Sequence, residues 1–252
     1  MCSNECSRSQ FSWTHEKPVV FLISQWQKEP KLSCVYFLYR WILAVFFVAI
    51  LIMNFIEPVT TESLTLIFGG IYAVSGALTI TIAFNSPERE ESKGRIYKTY
   101  WMFQEFVASF FFVSTLTFWS FLYDPKLYGC RILRILTHGV SVLVTTFDWF
   151  VVAHPIRLLH FVTVTITYAV AHLIMGLTSY YTTIDMDDSL TDTIFSHALK
   201  WEKPGMAALM MIGATVFSAI VHCLYWGLYK LRVWLHHKCY EKEALEETPT
   251  NA

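Results

Sequence analysis

Hydroxyl and imidazole side chains recur inside the apolar segments of this 252-residue chain, at positions where they could do chemistry. A hydroxyl becomes a useful nucleophile when a base within about 3 Å takes its proton, and imidazole suits that role best. The alternative is structural: membrane threonines often bond to their own helix backbone, and a lone histidine is often a packed core residue. We call these residues the second polar layer: Thr65, Thr115, Thr117, Ser120, His138 and His172.

The other set of polar residues, which we call the first polar layer, lies at a different depth in the predicted helices and contains the charged groups. Ionisable side chains are costly in hydrocarbon, so they usually face a protein interior or a wet cavity. Arg40 and Asp148 each lie about five residues from a helix end, close to 7 Å along the axis, so we expect that they can pair. Arg40, Glu105, Asp148 and Arg157 would then neutralise one another and lock the bundle, with an ion or substrate path as the alternative. The first polar layer comprises Arg40, Gln104, Glu105, Asp148, His154, Arg157, His160 and His222.

Metal and cofactor chemistry has weaker support in the sequence. His138 with His172, and His154 with His160, could be read as two pairs of haem ligands. The chain has no HExxH or CxxC motif for zinc, and its acidic stretch at 181–204 lacks a calcium-loop signature. We therefore expect no metal and no cofactor.

The elements that must position these residues are membrane helices. With 54% hydrophobic and 15% charged residues, the composition is typical of a polytopic membrane protein rather than a soluble domain. Crossing the bilayer takes about 20 helical residues, and prolines punctuate the apolar runs. We predict an all-α bundle of six transmembrane helices near residues 36–56, 63–84, 100–122, 132–153, 158–180 and 205–229.

The flanking charges predict the orientation of the bundle. Most of the 19 Lys and Arg residues fall on the side of the N-terminus, so both termini are expected to be cytoplasmic. We expect a cytoplasmic N-terminal segment at 1–35, a transmembrane domain at 36–230, and a disordered cytoplasmic tail at 231–252. No cleavable signal peptide is visible, and the net charge of −1 indicates no nucleic-acid partner.

Five segments together resemble the rolling stone family, a group of multi-pass membrane proteins. The most specific are PIRLLH at 155–160 and the KPG sequence inside WEKPGMA at 201–207. At two places the chain departs from the common pattern: Leu66-Ile67 replace Asn-Trp, and Lys200 replaces Asp. The matching segments are Leu38–Arg40, Thr115–Asp124, Pro155–His160, Trp201–Ala207 and Leu228–Arg232.

The resemblance implies a function as well as a fold. Rolling stone proteins are distantly similar to the androgen-induced and androgen-dependent TFPI-regulating proteins, six-helix hydrolases of fatty acid esters that use Thr and His. Those residues correspond to Thr65 and His138, and the implied partners are the lipid bilayer and a fatty-acyl ester. The alternative is a non-enzymatic protein of cell-surface organisation or myoblast-type fusion that uses the 181–204 loop. A transporter would depend on Asp148 and Arg40. The expected location is the plasma membrane or endoplasmic reticulum, and protein partners stay open.

Overall fold

The computed structural model of the protein describes residues 8–13, 15, 17–29, 31–56, 63–85, 90–122, 132–184 and 204–246. Within these ranges the regular structure is helical, apart from one isolated antiparallel bridge between Ser24 and Val152. The prediction of an all-α membrane bundle is therefore confirmed. Most of the acidic stretch at 181–204, namely residues 185–203, lies outside the described residues.

Five long helices dominate the described chain: α1 Cys34–Ile56, α2 Ser63–Asn85, α3 Glu90–Thr117, α6 His160–Ile184 and α7 Pro204–Glu246. Between α3 and α6 the chain is broken into shorter pieces. A π-helical turn, π1, covers Phe118–Leu122. The short helix α4 at Ile132–Ile135 continues through a second π-helical turn, π2 at Leu136–Val140, into α5 at Ser141–Val151. His154-Pro155 then separates α5 from α6, because proline lacks the backbone donor that a helix interior needs.

Four stretches are long and apolar enough to cross a membrane: Cys34–Phe55, Leu64–Asn85, Gly94–Ser120 and Ala208–Tyr240. His160–Ile174 is a shorter apolar stretch within α6. Large hydrophobic side chains remain exposed on these helices, as Val35, Val45 and Leu224 illustrate. Such exposure fits contact with lipid, because hydrocarbon does not penalise apolar surface as water does.

The last helix is longer than predicted. We expected a disordered tail from residue 231, but α7 continues to Glu246. The reason lies in local propensity, since residues 228–246 contain no Gly or Pro and are rich in Leu, Lys, Glu and other good helix formers. The extension brings Arg232 into the protein interior, where its side chain is 1% exposed.

Helix α3 lies between two hydrophobic clusters. One is built from α1, α2 and α3, and includes Phe47, Leu66 and Phe111. The other joins α3 to α5, α6 and α7, and includes Trp149 and Val221. Because α3 contributes to both clusters, polar residues on it can reach the helices of either one.

Candidate functional site

Asp148 is the centre of the first polar layer and is fully buried on α5. Arg40 donates from Nη1 to both carboxylate oxygens, at 3.0 and 3.2 Å. Tyr39 donates to Oδ1 at 2.8 Å, Gln104 donates to Oδ2 at 3.0 Å, and the hydroxyl of Tyr72 also donates to Oδ2. One carboxylate thus joins α1, α2, α3 and α5. The expected pairing of Arg40 with Asp148 is present, with three neutral donors added.

Gln104 relays this network to His154 in the loop after α5. Because Gln104 points its amide nitrogen at Asp148, its oxygen is left to accept from Nε2 of His154. Burial, together with the nearby guanidinium groups of Arg232 and Arg40, lowers the pKa of His154 well below its ordinary value of 6.5. His154 is therefore the neutral tautomer with its proton on Nε2.

The guanidinium of Arg40 occupies a socket that a glycine leaves open. It lies over the rings of Tyr72 and Tyr100, with Cζ 5.4 and 4.8 Å from their centroids. A Cβ atom at Gly76 would lie 2.8 Å from Cζ of Arg40 and 2.9 Å from Cε2 of Tyr100. Gly76 is thus required for the close approach of the Arg40 side chain to α2.

Glu105 and His160 form a second buried pair. Nδ1 of His160 lies 2.8 Å from Oε2 of Glu105, and both side chains are 0% exposed. The other expected member of the charge cluster, Arg157, is not bonded to either carboxylate of the layer in the described contacts. Its Nη1 donates to the backbone carbonyl of Ser12, and its Cζ lies 4.9 Å from the centroid of the Trp101 ring.

Groups from outside α5 satisfy its C-terminal carbonyls. A helix leaves its last four carbonyls without intrahelical partners, and in a low-dielectric interior each one needs a donor. Two distant elements, the N-terminal segment and α7, meet this need for three of the carbonyls, and Val152, the residue after α5, bonds to the fourth. The contacts are Val152 N to Asp148 O at 3.0 Å, Arg232 Nη1 to Trp149 O, Trp26 Nε1 to Phe150 O at 2.6 Å, and both Gln25 N and Ser24 Oγ to Val151 O at 2.8 Å.

Several residues of this network were not among the predicted site residues. Arg232 had been assigned to the tail, although it also donates to His154 O at 2.9 Å. Tyr39 and Tyr72 stand in apolar runs where tyrosine has no distinctive pattern. Ser12 and Trp13 lie in a segment without any hydrophobic period. The one available signal was Arg232 itself, a cation directly continuing an apolar helix without an intervening breaker.

His138 lies where two π-helical turns meet. It is 2% exposed within π2, and its ring stacks on Phe118 of π1 with centroids 4.0 Å apart and planes 6° from parallel. Trp119 of π1 donates from Nε1 to the His138 carbonyl at 3.3 Å. π-helical turns inside α-helices frequently mark functional sites, because the extra residue re-aims the side chains around it.

Thr65 lies two residues after the start of α2 and is partly buried. Its neighbour Leu66 is fully buried and belongs to the same hydrophobic cluster as Leu136 of π2. Among the described residues, no hydrogen bond joins Thr65 to His138, and their catalytic pairing stays a prediction. Leu66 stands where family members commonly have Asn, and its packing in this hydrophobic cluster explains the apolar residue.

The remaining histidines bind protein groups. His172 Nε2 lies 3.1 Å from the Tyr168 hydroxyl, and its ring stacks on that tyrosine. With His160 on Glu105 and His154 on Gln104, three of the four rings in the haem interpretation make side-chain hydrogen bonds. In the described ranges, no three His, Cys, Asp or Glu side chains are grouped as a metal site would require.

Apolar helices that enclose a buried ion-pair network define an integral, multi-pass membrane protein of the all-α class. A family model described as Protein rolling stone matches residues 1–88 and 72–241, so the chain belongs to the rolling stone family. It is 25% identical to Protein rolling stone of Drosophila melanogaster over 256 aligned positions, which cover 91% of this chain and 89% of the relative. No solved structure matches the chain.

Proposed function

We propose that the protein is an intramembrane hydrolase of lipid esters, with Thr65 as nucleophile and His138 as general base. The observation that carries the proposal is the setting of His138, a buried imidazole inside one π-helical turn and stacked on a second. The substrate class, a fatty-acyl ester, comes from the distant resemblance to the Thr- and His-dependent membrane hydrolases.

The proposed reaction has two stages. The Thr65 hydroxyl attacks the acyl carbonyl while Nε2 or Nδ1 of His138 takes its proton, and that proton passes to the alkoxide that leaves as alcohol. Water then attacks the acyl-threonine ester while His138 takes a proton from it, the bond from the acyl carbon to the Thr65 oxygen breaks, and His138 returns the proton to that oxygen as the fatty acid is released. Each stage places negative charge on the carbonyl oxygen, which needs hydrogen-bond donors near it.

The position of Thr65 supports its role. Several other helical threonines bond to the carbonyl one turn earlier, as Thr79, Thr81 and Thr145 do. Thr65 is the third residue of α2, so the helix itself offers no carbonyl one turn earlier for this hydroxyl to bond. Leu66, the next residue, belongs to a hydrophobic cluster against which Leu136 of π2 also packs.

An activity-based probe tests the proposal. We would treat protein-containing membranes with a fluorophosphonate, which reacts with activated hydroxyl nucleophiles, and measure hydrolysis of a fatty acid ester of a hydroxy fatty acid. Loss of one catalytic member costs at least about a hundredfold in rate. Thr65→Ala and His138→Ala should both lose labelling and hydrolysis, whereas Thr65→Ser should retain them.

Thr79→Ala on the same helix is the matched control, because its hydroxyl only bonds to Ser75 O at 2.7 Å. The proposal fails if folded wild-type protein is not labelled, or if Thr79→Ala and Thr65→Ala behave alike. The proposed activity fits the endoplasmic reticulum and the plasma membrane alike.

A further inference from the structure

The N-terminal segment covers the Glu105–His160 pair. Trp13 stacks on His160 with ring centroids 3.7 Å apart and meets the Trp101 ring edge-on at 5.6 Å. The Ser12 carbonyl accepts from Nη1 of Arg157 and from Nε2 of His160, the latter at 3.2 Å. We call Ser12 and Trp13, together with the α5-capping residues 24–26, the N-terminal plug.

These contacts determine how many protons the pair holds. A backbone carbonyl can only accept, so Nε2 of His160 must carry a proton to bond to Ser12. Nδ1 faces a Glu105 oxygen at 2.8 Å, and two bare acceptors would repel at that distance. Either Nδ1 carries a second proton and Glu105 is ionised, or Glu105 is protonated and donates to Nδ1. Both forms contain one proton more than neutral His160 with ionised Glu105.

The Glu105–His160 pair no longer requires the extra proton once the N-terminal plug has undocked. Without the Ser12 carbonyl, neutral His160 can place its single proton on Nδ1 and donate it to ionised Glu105. At a pH where the undocked pair has released its extra proton, docking of the plug is accompanied by uptake of one proton. A state that binds more protons is favoured as pH falls and disfavoured as pH rises.

We propose that the Glu105–His160 pair is a proton-binding site that closes the N-terminal plug over the first polar layer, and that the plug opens as pH rises. Opening would admit water to the face of α3 that carries Glu105. The proposal concerns the first polar layer and does not depend on hydrolysis at Thr65 and His138.

The titratable and charged groups near His160 come from four elements. Glu105 lies on α3, Arg157 in the loop after α5, His222 on α7, and His15 in the N-terminal segment, where its ring meets Trp101 edge-on at 6.2 Å. Nε2 of His222 donates to the Arg157 carbonyl at 3.1 Å. Arg157 stays charged throughout the useful pH range. A substitution confined to Glu105 leaves these other groups in place and removes the carboxyl group that shares a proton with His160.

Cysteine accessibility measures opening directly. Ser109 lies one helical turn beyond Glu105 on the same face of α3 and is 0% exposed. We would introduce Ser109→Cys in a variant whose six native cysteines are serine, reconstitute it in nanodiscs, and follow reaction with a water-soluble cationic methanethiosulfonate between pH 5.5 and 8.5. When opening is fast relative to reaction, the labelling rate tracks the open population.

Glu105→Gln is the matched control for the proton. The glutamine amide donates to unprotonated Nδ1, so the plug docks without taking up a proton and should stay closed at every pH. Dividing by the Glu105→Gln rate at each pH removes the general increase in thiolate that both proteins show as pH rises. Normalised in this way, labelling of the protein with native Glu105 should rise with pH, by at most about tenfold per pH unit for a single proton.

Trp13→Ala tests the plug itself. It should raise labelling at low pH by about tenfold or more and remove the pH dependence. Identical normalised profiles with Glu and Gln at position 105 would overturn the proton site, and unchanged labelling in Trp13→Ala would overturn the plug. A second reporter, Ser141→Cys, should stay unlabelled. If the Ser141→Cys thiol reacts in Trp13→Ala, the helix bundle itself has opened. The proposal is then tested by the comparison of proteins with Glu and Gln at position 105 alone.

Discussion

Removing Asp148 alone should cost far more than removing Arg40 and Asp148 together. Asp148→Leu leaves the Arg40 guanidinium buried and unpaired, with 1% exposure, and such an uncompensated charge costs about 3–5 kcal/mol. Since whole domains are stable by about 5–15 kcal/mol, this single change threatens the fold. Arg40→Met should be milder, because Tyr39, Tyr72 and Gln104 still donate to Asp148.

The double variant Arg40→Met, Asp148→Leu restores neutrality. Its loss of stability should be smaller than the sum of the two single losses by about 3 kcal/mol. Tyr39, Tyr72 and Gln104 lose their acceptor in both variants that carry Asp148→Leu, so this cost cancels when the single and double variants are compared. The assay is reversible unfolding in mixed micelles with rising dodecyl sulfate, followed by tryptophan fluorescence. A coupling energy below about 0.5 kcal/mol would refute the direct ion pair, because independent sites add within that margin.

Two further predictions concern the surroundings of this network, and thermal unfolding measures both. Gly76→Ala should lower stability by about 1–3 kcal/mol, because the added Cβ displaces Arg40, whereas Gly94→Ala, with nothing within 4 Å, should be neutral or slightly stabilising. Equal effects would contradict the socket. Trp26→Phe should cost about 1 kcal/mol through the lost donor to the α5 end, and Trp234→Phe on an exposed face should cost nothing. A neutral Trp26→Phe would mean that the cap contributes no stability.

The length of α7 shows where reasoning from segments failed. The transmembrane domain was expected to end near residue 230, because apolar content falls there and charges begin. Helix propensity continues without a break, and Arg232 finds backbone carbonyls of α5 and the following loop to bind. A charged residue after an apolar run is usually solvated, so only the position of a neighbouring helix end could reveal its burial.

The sequence alone determined the class of the protein and its helices to within several residues at most ends. These are properties of single segments: hydrophobicity decides which residues enter the bilayer, and proline decides where a helix breaks. Depth was also enough to indicate that Arg40 could pair with Asp148, since both lie at the same level on facing helices.

Only the tertiary structure decided which groups complete each site. Tyr72, Gly76 and Arg232 join the first polar layer because the rotation of each helix about its axis aims them inward, and no local pattern encodes that rotation. Ser12 and Trp13 cover His160 through contacts that span well over a hundred residues of sequence. Such contacts arise from packing many surfaces at once, and for that reason the proton-binding pair and its plug became visible only in the folded protein.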